Sequence, residues 1–358
     1  MRKITELRKG MKNEGIDCLA IVPGPNLYYI TSKKFHLSER PVVLFIEQNS
    51  LTFILPELES QKLSGLDVEF LTYSDALGPQ KIFDEFLEDK NFERIGIESR
   101  IMRHLELNLI DRNNSEIIDS MFIFADLRTK KSKDEIEMIQ KAVIIAENSL
   151  NKIIDNLTSG ISEKDFASLL VMELLKNGSE SDLPFSPIVA SGTNGSNPHH
   201  FPTDKIIGDN ELVIIDWGAN YQGYFSDITR TFATGKSIDS KLLDAFESVR
   251  LANTAAIEIS ASGVTAGDVD LAARSIIDER GFGDYFIHRT GHGLGLEIHE
   301  EPNIKQNEDF ILSEGNIFTI EPGIYLPELG GIRIEDDVLI ESSGSRSLTT
   351  IPRDLVYL

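Results

Sequence analysis

Two segments decide the fold: VIIDWGANYQGYFSDITRTF, residues 213–232, and FTIEPGIYLPELGGIRIEDDVLI, residues 318–340. In each segment an apolar run ends in an acid, and one further residue and a glycine follow. A turn-rich stretch then leads to a strand that carries a second acid. The four acids are Asp216, Asp227, Glu321 and Glu335. Apolar runs separated by turn residues predict β-hairpins, so we expect each segment to form a hairpin with an acid on both arms.

A helical stretch precedes each of these segments. The first lies around residues 162–176 and the second around residues 266–280. The repeated order of helix and hairpin predicts two related halves that face each other. This arrangement would bring the acids of both halves towards one another.

The sequence changes character near Asp126. A basic cluster is followed by Ser132 and, three residues later, by Glu135, which is the capping-box pattern of a helix start. We place a domain boundary here, with residues 1–127 in an N-terminal domain and residues 128–358 in a second domain. A length of 358 residues suits two domains of ordinary size.

The N-terminal domain alternates between helical and strand patterns. An opening helix is predicted, and a second helix around residues 81–87. Strand-like apolar runs lie at residues 18–22, 42–46, 51–55 and 94–97. This pattern predicts an α/β domain, and no recognisable chemical motif lies within it.

Acidic residues outnumber basic residues by 58 to 35, and the formal net charge is −23. Such a surface repels phosphate backbones and anionic membranes, which argues against nucleic acid and membranes as partners. The composition is 41% hydrophobic and 26% charged, as is typical of a soluble globular protein. We interpret most of the acidity as a contribution to solubility.

Cys18 is the only cysteine, so no disulfide can form within the chain, which fits a reducing compartment. Its apolar surroundings favour a buried strand residue over a nucleophile. The N-terminus has no apolar stretch of the signal-peptide form, and no apolar run approaches the length of about 18 residues that spans a bilayer. The cytoplasm is therefore the expected location.

The acids at the ends of the apolar runs indicate a cation site, because burying a carboxylate is costly unless a cation or donor pairs with it. A single acid such as Asp216 or Glu321 is more often a turn residue, but two in matched contexts favour a metal site. His292 lies between Gly291 and Gly293, on a backbone expected to pack closely. Four carboxylates and one imidazole can surround two divalent ions, and oxygen-rich ligation favours Mn²⁺ or a similar ion over thiolate-bound zinc.

Several other catalytic motifs are absent from the sequence. HEEPN, residues 299–303, is not the zinc motif HExxH, because its fifth residue is Asn303 and Pro302 opposes the helix that the motif needs. GHGLGLE lacks the GxGxxG spacing, and neither a GxxxxGK[ST] phosphate loop nor a GxSxG elbow occurs. These absences argue against phosphate binding and against a serine hydrolase.

Six segments of the second domain together resemble the pita-bread metallopeptidases, which include Xaa-Pro dipeptidases (prolidases), Xaa-Pro aminopeptidases and methionine aminopeptidases. They are PHH at 198, IIDWG at 214, SDITRTF at 226, HRTGHGLGLEIHEEP at 288, TIEPGIY at 319 and GGIRIED at 330. Residues 1–127 resemble the creatinase-like half of prolidases and Xaa-Pro aminopeptidases. The resemblance implies a mixed α/β (α+β) protein, with a creatinase-like α/β domain followed by a pita-bread domain of two pseudo-symmetric helix-plus-hairpin halves.

The resemblance also implies a ligand set for two divalent ions, with Mn²⁺ favoured and Co²⁺ or Zn²⁺ as alternatives. The implied ligands are Asp216, Asp227, His292, Glu321 and Glu335. Asp227 and Glu335 would bridge both ions. Paired cations would lower the pKa of a bridging water and polarise the scissile carbonyl. Glu321 is the implied proton shuttle from the water to the leaving nitrogen.

Three histidines are implied as catalytic or substrate-binding residues. His288 and His299 would donate hydrogen bonds to the substrate and to the developing oxyanion. His199, which precedes the first ligand by 216 − 199 = 17 residues, would bind substrate. The adjacent His200 is interpreted as a surface neighbour.

Further residues are candidates for the substrate pocket. Phe185 and Tyr325 would form its apolar walls, although each is equally compatible with the hydrophobic core. Thr229 and Arg333 are predicted to orient the carboxylates. Arg333 is also assigned to the substrate-binding set.

The leading expectation is a homodimeric Xaa-Pro dipeptidase, which hydrolyses the bond between an N-terminal residue and proline. An Xaa-Pro aminopeptidase, which acts on longer peptides, is the alternative. A methionine aminopeptidase is disfavoured, because most of these enzymes lack the N-terminal domain. A non-catalytic binding module of this fold typically loses ligands, whereas all five are present here.

A cation distinguishes the dipeptidase from the aminopeptidase, because a dipeptide leaves the carboxylate of proline inside the site. Many prolidases have an arginine just after the HExP segment, where this chain has Asn303. Candidate replacements are Arg289, Lys305 and the basic loop at residues 32–36, which a neighbouring subunit could present. The chain length, the PHH segment and the GGIRIED ending resemble compact microbial prolidases and favour the dipeptidase.

Overall fold

Two compact units make up the chain, Met1–Arg128 and Thr129–Leu358. The computed structural model describes residues 2–111 and 115–358. Within these residues, every helix is too short or too polar to cross a membrane.

The N-terminal unit contains a mixed sheet, with six strands in the described part of the chain. They are β1 (Cys18–Ile21), β2 (Val43–Glu47), β3 (Leu51–Pro56), β4 (Glu69–Tyr73), β5 (Arg94–Ile97) and β6 (Glu116–Asp119). Their order is β4-β3-β2-β1-β5-β6, and β1 runs antiparallel to β2 but parallel to β5. The four strands predicted from apolar runs are all present, whereas β4 and β6 carry exposed residues and were not predicted.

Helices cover both faces of this sheet. They are α1 (Arg2–Glu14), α2 (Pro25–Thr31), α3 (Gln80–Glu88), α4 (His104–Ile110) and α5 (Met121–Thr129). Successive side chains of a strand point to opposite faces. In β1, Leu19 packs in one apolar cluster with Leu7 of α1, and Cys18 packs in another with Phe83 of α3. Burial raises the pKa of the Cys18 thiol well above its ordinary value, as expected for a strand residue that is not a nucleophile.

The second unit has two halves, each with a pair of helices followed by strands. The first half contains α6 (Lys133–Ile153), α7 (Glu163–Lys176), β7 (Ile188–Ser191), β8 (Leu212–Trp217), β9 (Asn220–Tyr221), β10 (Tyr224–Phe225) and β11 (Ile228–Ala233). The second half contains α8 (Ser240–Ile259), α9 (Ala266–Glu279), β12 (Gly291–Gly293), β13 (Glu300–Ile304), β14 (Ile317–Ile320), β15 (Gly323–Leu326), β16 (Gly330–Arg333), β17 (Asp336–Glu341) and β18 (Gly344–Ser347), and β19 (Val356–Tyr357) follows.

Each half forms a sheet that its helices cover. The strand orders are β19-β11-β8-β7 in the first half and β13-β12-β14-β17-β18 in the second. Val143 of α6 packs in one apolar cluster with Ile215 of β8, and Val249 of α8 packs in another with Ile320 of β14. The two predicted helices are present as α7 and α9.

Side-chain caps explain where these helices begin. Ser132 and Glu135 form the predicted reciprocal capping box at the start of α6. Ser162 accepts a hydrogen bond from the Asp165 backbone N–H at the start of α7, and Thr265 caps α9 in the same way. Such caps satisfy backbone donors that have no partner inside the helix.

The two acidic segments fold as the predicted hairpins, and each hairpin contains a second, inner pair of short strands that was not predicted. The outer strands β8 and β11 pair antiparallel, and β9 and β10 form a second, inner pair. In the second segment β14 pairs with β17, and β15 with β16. Gln222 (φ 52°) and Gly223 (φ 83°) form the tight inner turn. The four acids therefore lie at, or next to, the ends of the outer strands that adjoin the inner pairs.

Candidate metal centre and active site

One cavity of the second unit is lined by all five predicted metal ligands and by six other residues predicted for the site. Its volume is about 500 Å³. The predicted metal ligands in its lining are Asp216, Asp227, His292, Glu321 and Glu335. The other predicted site residues in its lining are Phe185, His199, His288, His299, Tyr325 and Arg333. The fold thus collects residues that are far apart in the sequence.

The four acids meet where the outer strands of the two halves adjoin. Asp216 of β8 is paired with Thr229 of β11, and Glu321 directly follows β14. Thr229 also forms an isolated bridge with Glu335, and its Oγ1 donates a hydrogen bond to Glu335 Oε2 at 2.7 Å. Thr229 therefore connects an acid of one half to an acid of the other.

Asp227, His292 and Glu335 form a compact group in the cavity that could hold a metal ion. One potential ligand atom from each lies within 4.8 Å of the others. His292 Nε2 is 3.6 Å from Asp227 Oδ2 and 3.4 Å from Glu321 Oε1. Asp216 lies outside this group, and Arg333 Nη2 donates a 2.7 Å hydrogen bond to its Oδ2. Carboxylate and imidazole atoms at these spacings can share a cation.

His292 is oriented for ligation. Its Nδ1 lies 3.1 Å from the carbonyl oxygen of Gly293, which can only accept a hydrogen bond. The hydrogen is therefore assigned to Nδ1, and Nε2 presents its lone pair to the acids. Burial lowers the pKa of His292 well below its ordinary value, and the neighbouring His299 lowers it further. The neutral imidazole that results is the form that binds metals.

The buried acids repel one another. Burial raises the pKa of Asp227 and Glu335 well above the ordinary range, and neighbouring carboxylates raise both further. Burial also raises the pKa of Glu321 to about 7. Burial and nearby like charges both disfavour the ionised form of an acid. A divalent cation among these groups would reverse that preference.

Two carboxylate oxygens show that the residues fit a metal. Asp216 Oδ1 and Glu335 Oε1 are buried and have no hydrogen-bond partner among the described residues. The second oxygen of each carboxylate is held, by Arg333 and Thr229 respectively. A buried acceptor without a partner is costly, and carboxylate oxygens are suitable ligands for hard and borderline divalent ions.

A chain of hydrogen bonds runs from Asp216 along the cavity wall. Arg333 donates to Asp216, to Thr229 Oγ1 at 3.2 Å and to the Tyr325 hydroxyl at 2.9 Å. The Tyr325 hydroxyl lies 2.9 Å from His288 Nε2. Arg333 is buried and its guanidinium contacts three protein groups, so it fixes the position of Asp216.

His288 differs from the expectation that it donates to the substrate. Its Nδ1 lies 2.7 Å from the Arg289 carbonyl oxygen and therefore carries the hydrogen. Its Nε2 then accepts from Tyr325, so neither ring nitrogen has a hydrogen left for a substrate. Burial lowers the pKa of His288 to about 4, which leaves the ring neutral at pH 7. The histidine instead holds the tyrosine.

His299 and His199 remain open to the cavity. The rings of His299 and His292 stand edge to face, with centroids 4.4 Å apart. Burial lowers the pKa of His299, and the charge of Arg289 adds to this effect. His199 is exposed at the rim of the cavity. Its predicted contact with substrate stays a prediction.

Phe185 and Tyr325 both form part of the cavity wall. The sequence was equally compatible with this role and with a place in the hydrophobic core. Phe185 is half-buried. Tyr325 is 4% exposed, so it also belongs to the core, and its hydroxyl is engaged by Arg333.

His200 is not the surface neighbour that the sequence suggested. Its Nε2 lies 2.9 Å from Glu163 Oε2, and its side chain is 11% exposed. Sequence analysis missed Glu163, because an acid directly after the N-cap Ser162 is an ordinary helix-start residue. Its partners lie 28 to 40 residues further along the chain, so no local pattern connects them.

The candidate cations for a substrate carboxylate occupy different places. Arg289 lines the cavity and donates to Asn303 Oδ1, and no carboxylate pairs with it among the described residues. Lys305 is exposed and lies 3.4 Å from Glu308. The loop at residues 32–36 belongs to the N-terminal unit, where Lys33 Nζ donates to the Ser64 carbonyl.

Comparison with known proteins identifies relatives along the whole chain. Residues 137–342 match metallopeptidase family M24, and residues 3–130 match the creatinase/prolidase N-terminal domain. The chain is 38% identical to an Xaa-Pro dipeptidase of Pyrococcus furiosus over 99% of both sequences.

Two solved structures extend the comparison to the fold. A recombinant prolidase from Thermococcus sibiricus superposes with a TM-score of 0.95 at 36% identity, over 100% of this chain and 98% of that one. An X-Pro aminopeptidase from Thermotoga maritima superposes with a TM-score of 0.85 at 31% identity, over 99% of both chains.

These findings confirm the resemblance and the fold class that were predicted from the sequence. The matches cover both the N-terminal α/β sheet and the two helix-plus-hairpin halves. The buried acids and His292 are accordingly the candidate divalent-metal centre of a peptidase. The chain belongs to metallopeptidase family M24 and carries the creatinase/prolidase type of N-terminal domain.

Proposed function

We propose that the chain is an Xaa-Pro dipeptidase, which uses two divalent metal ions to hydrolyse the bond between an N-terminal residue and proline. Residues 128–358 would be the catalytic domain, and residues 1–127 the N-terminal domain. One observation carries the proposal: a single cavity is lined both by the buried acid cluster and by Arg289, a cation without an ion-pair partner in the described part of the chain.

The metal ligands are proposed to be Asp216, Asp227, His292, Glu321 and Glu335. When bound, the ions supply Lewis acidity, which polarises the scissile carbonyl and acidifies the attacking water. We propose Mn²⁺ as the native metal because four of the five ligands are carboxylates, and Co²⁺ and Zn²⁺ are the alternatives.

Glu321 is proposed to move the proton. Its Oε1 lies 3.4 Å from His292 Nε2, so its carboxylate faces the centre. The carboxylate takes one proton from the attacking water, whose oxygen bonds to the carbonyl carbon. It returns that proton to the proline nitrogen as the C–N bond breaks, which leaves proline as a free amine.

His299 and His199 are proposed to contact the substrate. The lowered pKa of His299 keeps it neutral at pH 7, so it can donate one N–H to the developing oxyanion. His199, at the rim, would contact the peptide. His288 is proposed to act indirectly, by holding Tyr325, which forms an apolar wall together with Phe185.

Arg289 is proposed to bind the carboxylate of the C-terminal proline. The chain is strongly acidic, yet this half-buried guanidinium has a neutral partner, Asn303. Asn303 is itself held by hydrogen bonds from its Nδ2 to both Glu301 oxygens, at 3.0 Å each. A guanidinium held in this way can pair with a carboxylate through two parallel hydrogen bonds.

An Xaa-Pro aminopeptidase acting on longer peptides is the second candidate. The side of the cavity formed by Phe201 is open, since this residue is 77% exposed, and a longer peptide could leave there. A non-catalytic binding module would not need the complete set of five ligands.

We further propose a cytoplasmic homodimer. The single buried thiol of Cys18 fits a reducing compartment, as the cytoplasm is.

The homodimer can be tested by mass. Light scattering of the purified protein should give twice the chain mass of 40.0 kDa. A mass of one chain at micromolar concentration would contradict the dimer.

The decisive experiment is an activity panel after loading with Mn²⁺. Met-Pro and Leu-Pro should be cleaved with higher kcat/KM than Leu-Pro-Gly, because lengthening the substrate moves its carboxylate away from Arg289. The reverse ranking would favour the aminopeptidase. Exhaustive chelation should abolish cleavage and Mn²⁺ or Co²⁺ should restore it, whereas full activity with no detectable metal would contradict metal-dependent hydrolysis.

A further inference from the structure

Glu163, the first residue of α7, has a buried carboxylate that collects hydrogen bonds from a single loop. Its Oε1 accepts from the Ser191 N–H and hydroxyl, both at 2.8 Å, and from Asn194 Nδ2 at 3.0 Å. Its Oε2 accepts from Thr203 N–H at 3.2 Å and from the Thr203 hydroxyl at 2.8 Å. His200 Nε2 is 2.9 Å from the same oxygen.

The loop at residues 191–203 forms one wall of the cavity. Pro198, His199, His200 and Phe201 all line it. Beyond the end of β7 the loop contains only a short 3-10 turn, Gly192–Ser196. Strand pairing holds only its first residue, Ser191, and one backbone hydrogen bond, from Lys164 N–H to the Thr203 carbonyl oxygen at 3.0 Å, holds its last. Glu163 adds side-chain hydrogen bonds at both ends and at Asn194 and His200 between them.

The Glu163 carboxylate is suited to this task. Although burial raises its pKa, the hydrogen bonds from Ser191, His200, Asn194 and Thr203 outweigh burial and lower the pKa to about 2. The group is therefore ionised at neutral pH, and charge-assisted hydrogen bonds are shorter and stronger than neutral ones. Its place in the first turn of a helix also favours a negative charge.

The second half of the unit has an equivalent arrangement. Asp270 of α9 accepts from the Thr290 N–H and hydroxyl, at 3.2 and 2.8 Å. It also pairs with Arg274, which donates to the carbonyl oxygens of Phe286 and His288. In each half, a buried acid on a helix thus ties the helix to the loop that brings a histidine to the cavity.

We propose that Glu163 is a positioning residue for the substrate: it holds the loop at residues 191–203 so that His199 and Phe201 face the bound peptide. It acts on substrate binding through these two residues and not on the metal centre. The choice of substrate rests on the function proposed above, whereas the holding of the loop does not.

The test is Glu163→Gln, which removes the charge and replaces an acceptor oxygen with a donor. KM for Leu-Pro should rise about fivefold while kcat stays within about twofold and the metal content is unchanged, as expected when only binding is lost. The matched control is Glu173→Gln on the same helix, whose carboxylate pairs with Lys176 and does not touch the loop. This variant should behave as the parent enzyme.

A double-mutant cycle separates positioning from general destabilisation. If Glu163 acts through His199 and Phe201, adding Glu163→Gln to a variant that already carries His199→Ala and Phe201→Ala should change KM by less than about twofold, because interacting residues are not additive. A KM increase in this background as large as that in the parent enzyme would overturn the proposal. Loss of metal from Glu163→Gln, or an unchanged KM, would also overturn it.

Hydrogen exchange tests the holding of the loop without a substrate. The amides of Ser191 and Thr203 should exchange faster in Glu163→Gln than in the parent protein, and equal rates would contradict the proposal. If Glu163→Gln does not fold, Thr203→Val removes one donor and keeps the carboxylate; KM should rise, and an unchanged KM would count against the proposal. A parent enzyme that cleaves no Xaa-Pro peptide would instead refute the proposed function.

Discussion

Asp227 has surroundings that distinguish it from an ordinary acid in a turn. Its backbone N–H donates to Asp337 Oδ2 at 3.1 Å. Asp337 is itself buried, and burial raises its pKa well above the ordinary range. The sequence did not predict this second acid, because Asp337 lies beside Asp336 in a strand and resembles any other acid there. It fixes the backbone that carries Asp227.

Asp227→Asn should lose far more activity than Asp209→Asn. Asp227 lies in the group of possible metal ligands, whereas Asp209 is exposed in the turn before β8. An amide keeps the shape of the side chain but removes the charge that two cations need, so kcat/KM should fall at least about a thousandfold in the first variant. Steady-state kinetics after loading with metal decide this, and similar losses in both variants would contradict the ligand assignment.

His299→Ala should lower kcat and leave the metal content intact. The ring of His299 lies against His292 but outside the group of possible ligands, and its proposed role is hydrogen bonding to the oxyanion. Removing one such donor costs about 3 kcal/mol in the transition state. Elemental analysis provides the check, since loss of one metal equivalent would make His299 a ligand.

Arg289→Ala should lower kcat/KM for Leu-Pro at least about tenfold, because it removes the proposed charge-assisted pair with the substrate carboxylate. Leu-Pro amide has no such carboxylate, so the same variant should affect its cleavage much less. Lys305→Ala is the matched control, since Lys305 is an exposed cation that does not line the cavity. Equal losses on the acid and the amide would show that Arg289 does not recognise the carboxylate.

The short strand β12 presents His292 because the glycines on both sides permit close backbone contact. A Cβ atom at Gly291 would lie 1.8 Å from the Thr319 carbonyl oxygen, and one at Gly293 would lie 2.2 Å from that of Glu301. The close packing predicted from the Gly-His-Gly pattern is therefore present. Any side chain at these positions would push β12 away from its neighbours and move the imidazole.

Gly291→Ala should therefore destabilise the protein by at least about 2 kcal/mol, since overpacking forces the backbone to shift. Gly24→Ala is a suitable comparison, because its Cβ would meet no atom nearer than 3.4 Å. Thermal unfolding of both variants is the measurement. If the Gly291→Ala protein is as stable as the Gly24→Ala protein, the neighbouring strand can shift without a loss in the free energy of unfolding.

The sequence predicts elements well where the signal is local. The capping box of Ser132 and Glu135 marks the start of α6, and the apolar runs mark the buried strands. The inner hairpins were missed because their strands are only two to four residues long and their turns contain no Asn-Gly or Asp-Gly pair. Short strands are specified by their place in the sheet more than by their own residues.

Across the whole molecule, the five predicted metal ligands all line one cavity. They could be predicted because the repeated pattern of acids is visible in the sequence without knowledge of the fold. The contacts among the site residues could not be predicted from the sequence. The hydrogen bond from Thr229 to Glu335 joins residues that are 106 positions apart. The contact of His288 Nε2 with the Tyr325 hydroxyl joins residues that are 37 positions apart. Such contacts arise only when the halves are packed.

The metal-free protein should be more stable at pH 5.5 than at pH 8. The folded-state pKa of Glu321 is about 7, above the unfolded value of about 4.3. The folded protein therefore binds more protons than the unfolded chain between these values, so stability falls as pH rises through this window. Asp216, Asp227, Glu335 and Asp337 are shifted in the same direction. The lowered pKa values of His288, His292 and His299 act in the opposite direction, but the raised acids outnumber these histidines and set the sign.

Bound metal should cancel this dependence, because cations favour the ionised acids. Thermal unfolding of the chelated and Mn²⁺-loaded forms at both pH values is the check. The loaded form serves as the control for the charged residues elsewhere in the chain, which both forms share. A chelated protein whose stability does not change between the two pH values would argue against repulsion among these acids.

The division of the proposed ligands between the two halves has a consequence for biosynthesis. Asp216 and Asp227 are translated early in the second unit, but Glu335 and its partner strand β17 come more than a hundred residues later. A nascent chain, or a product truncated before Glu335, lacks a member of the group that could hold a metal. If Glu335 is a ligand as proposed, peptidase activity should require synthesis at least through residue 335, so shorter chains should not digest peptides around them.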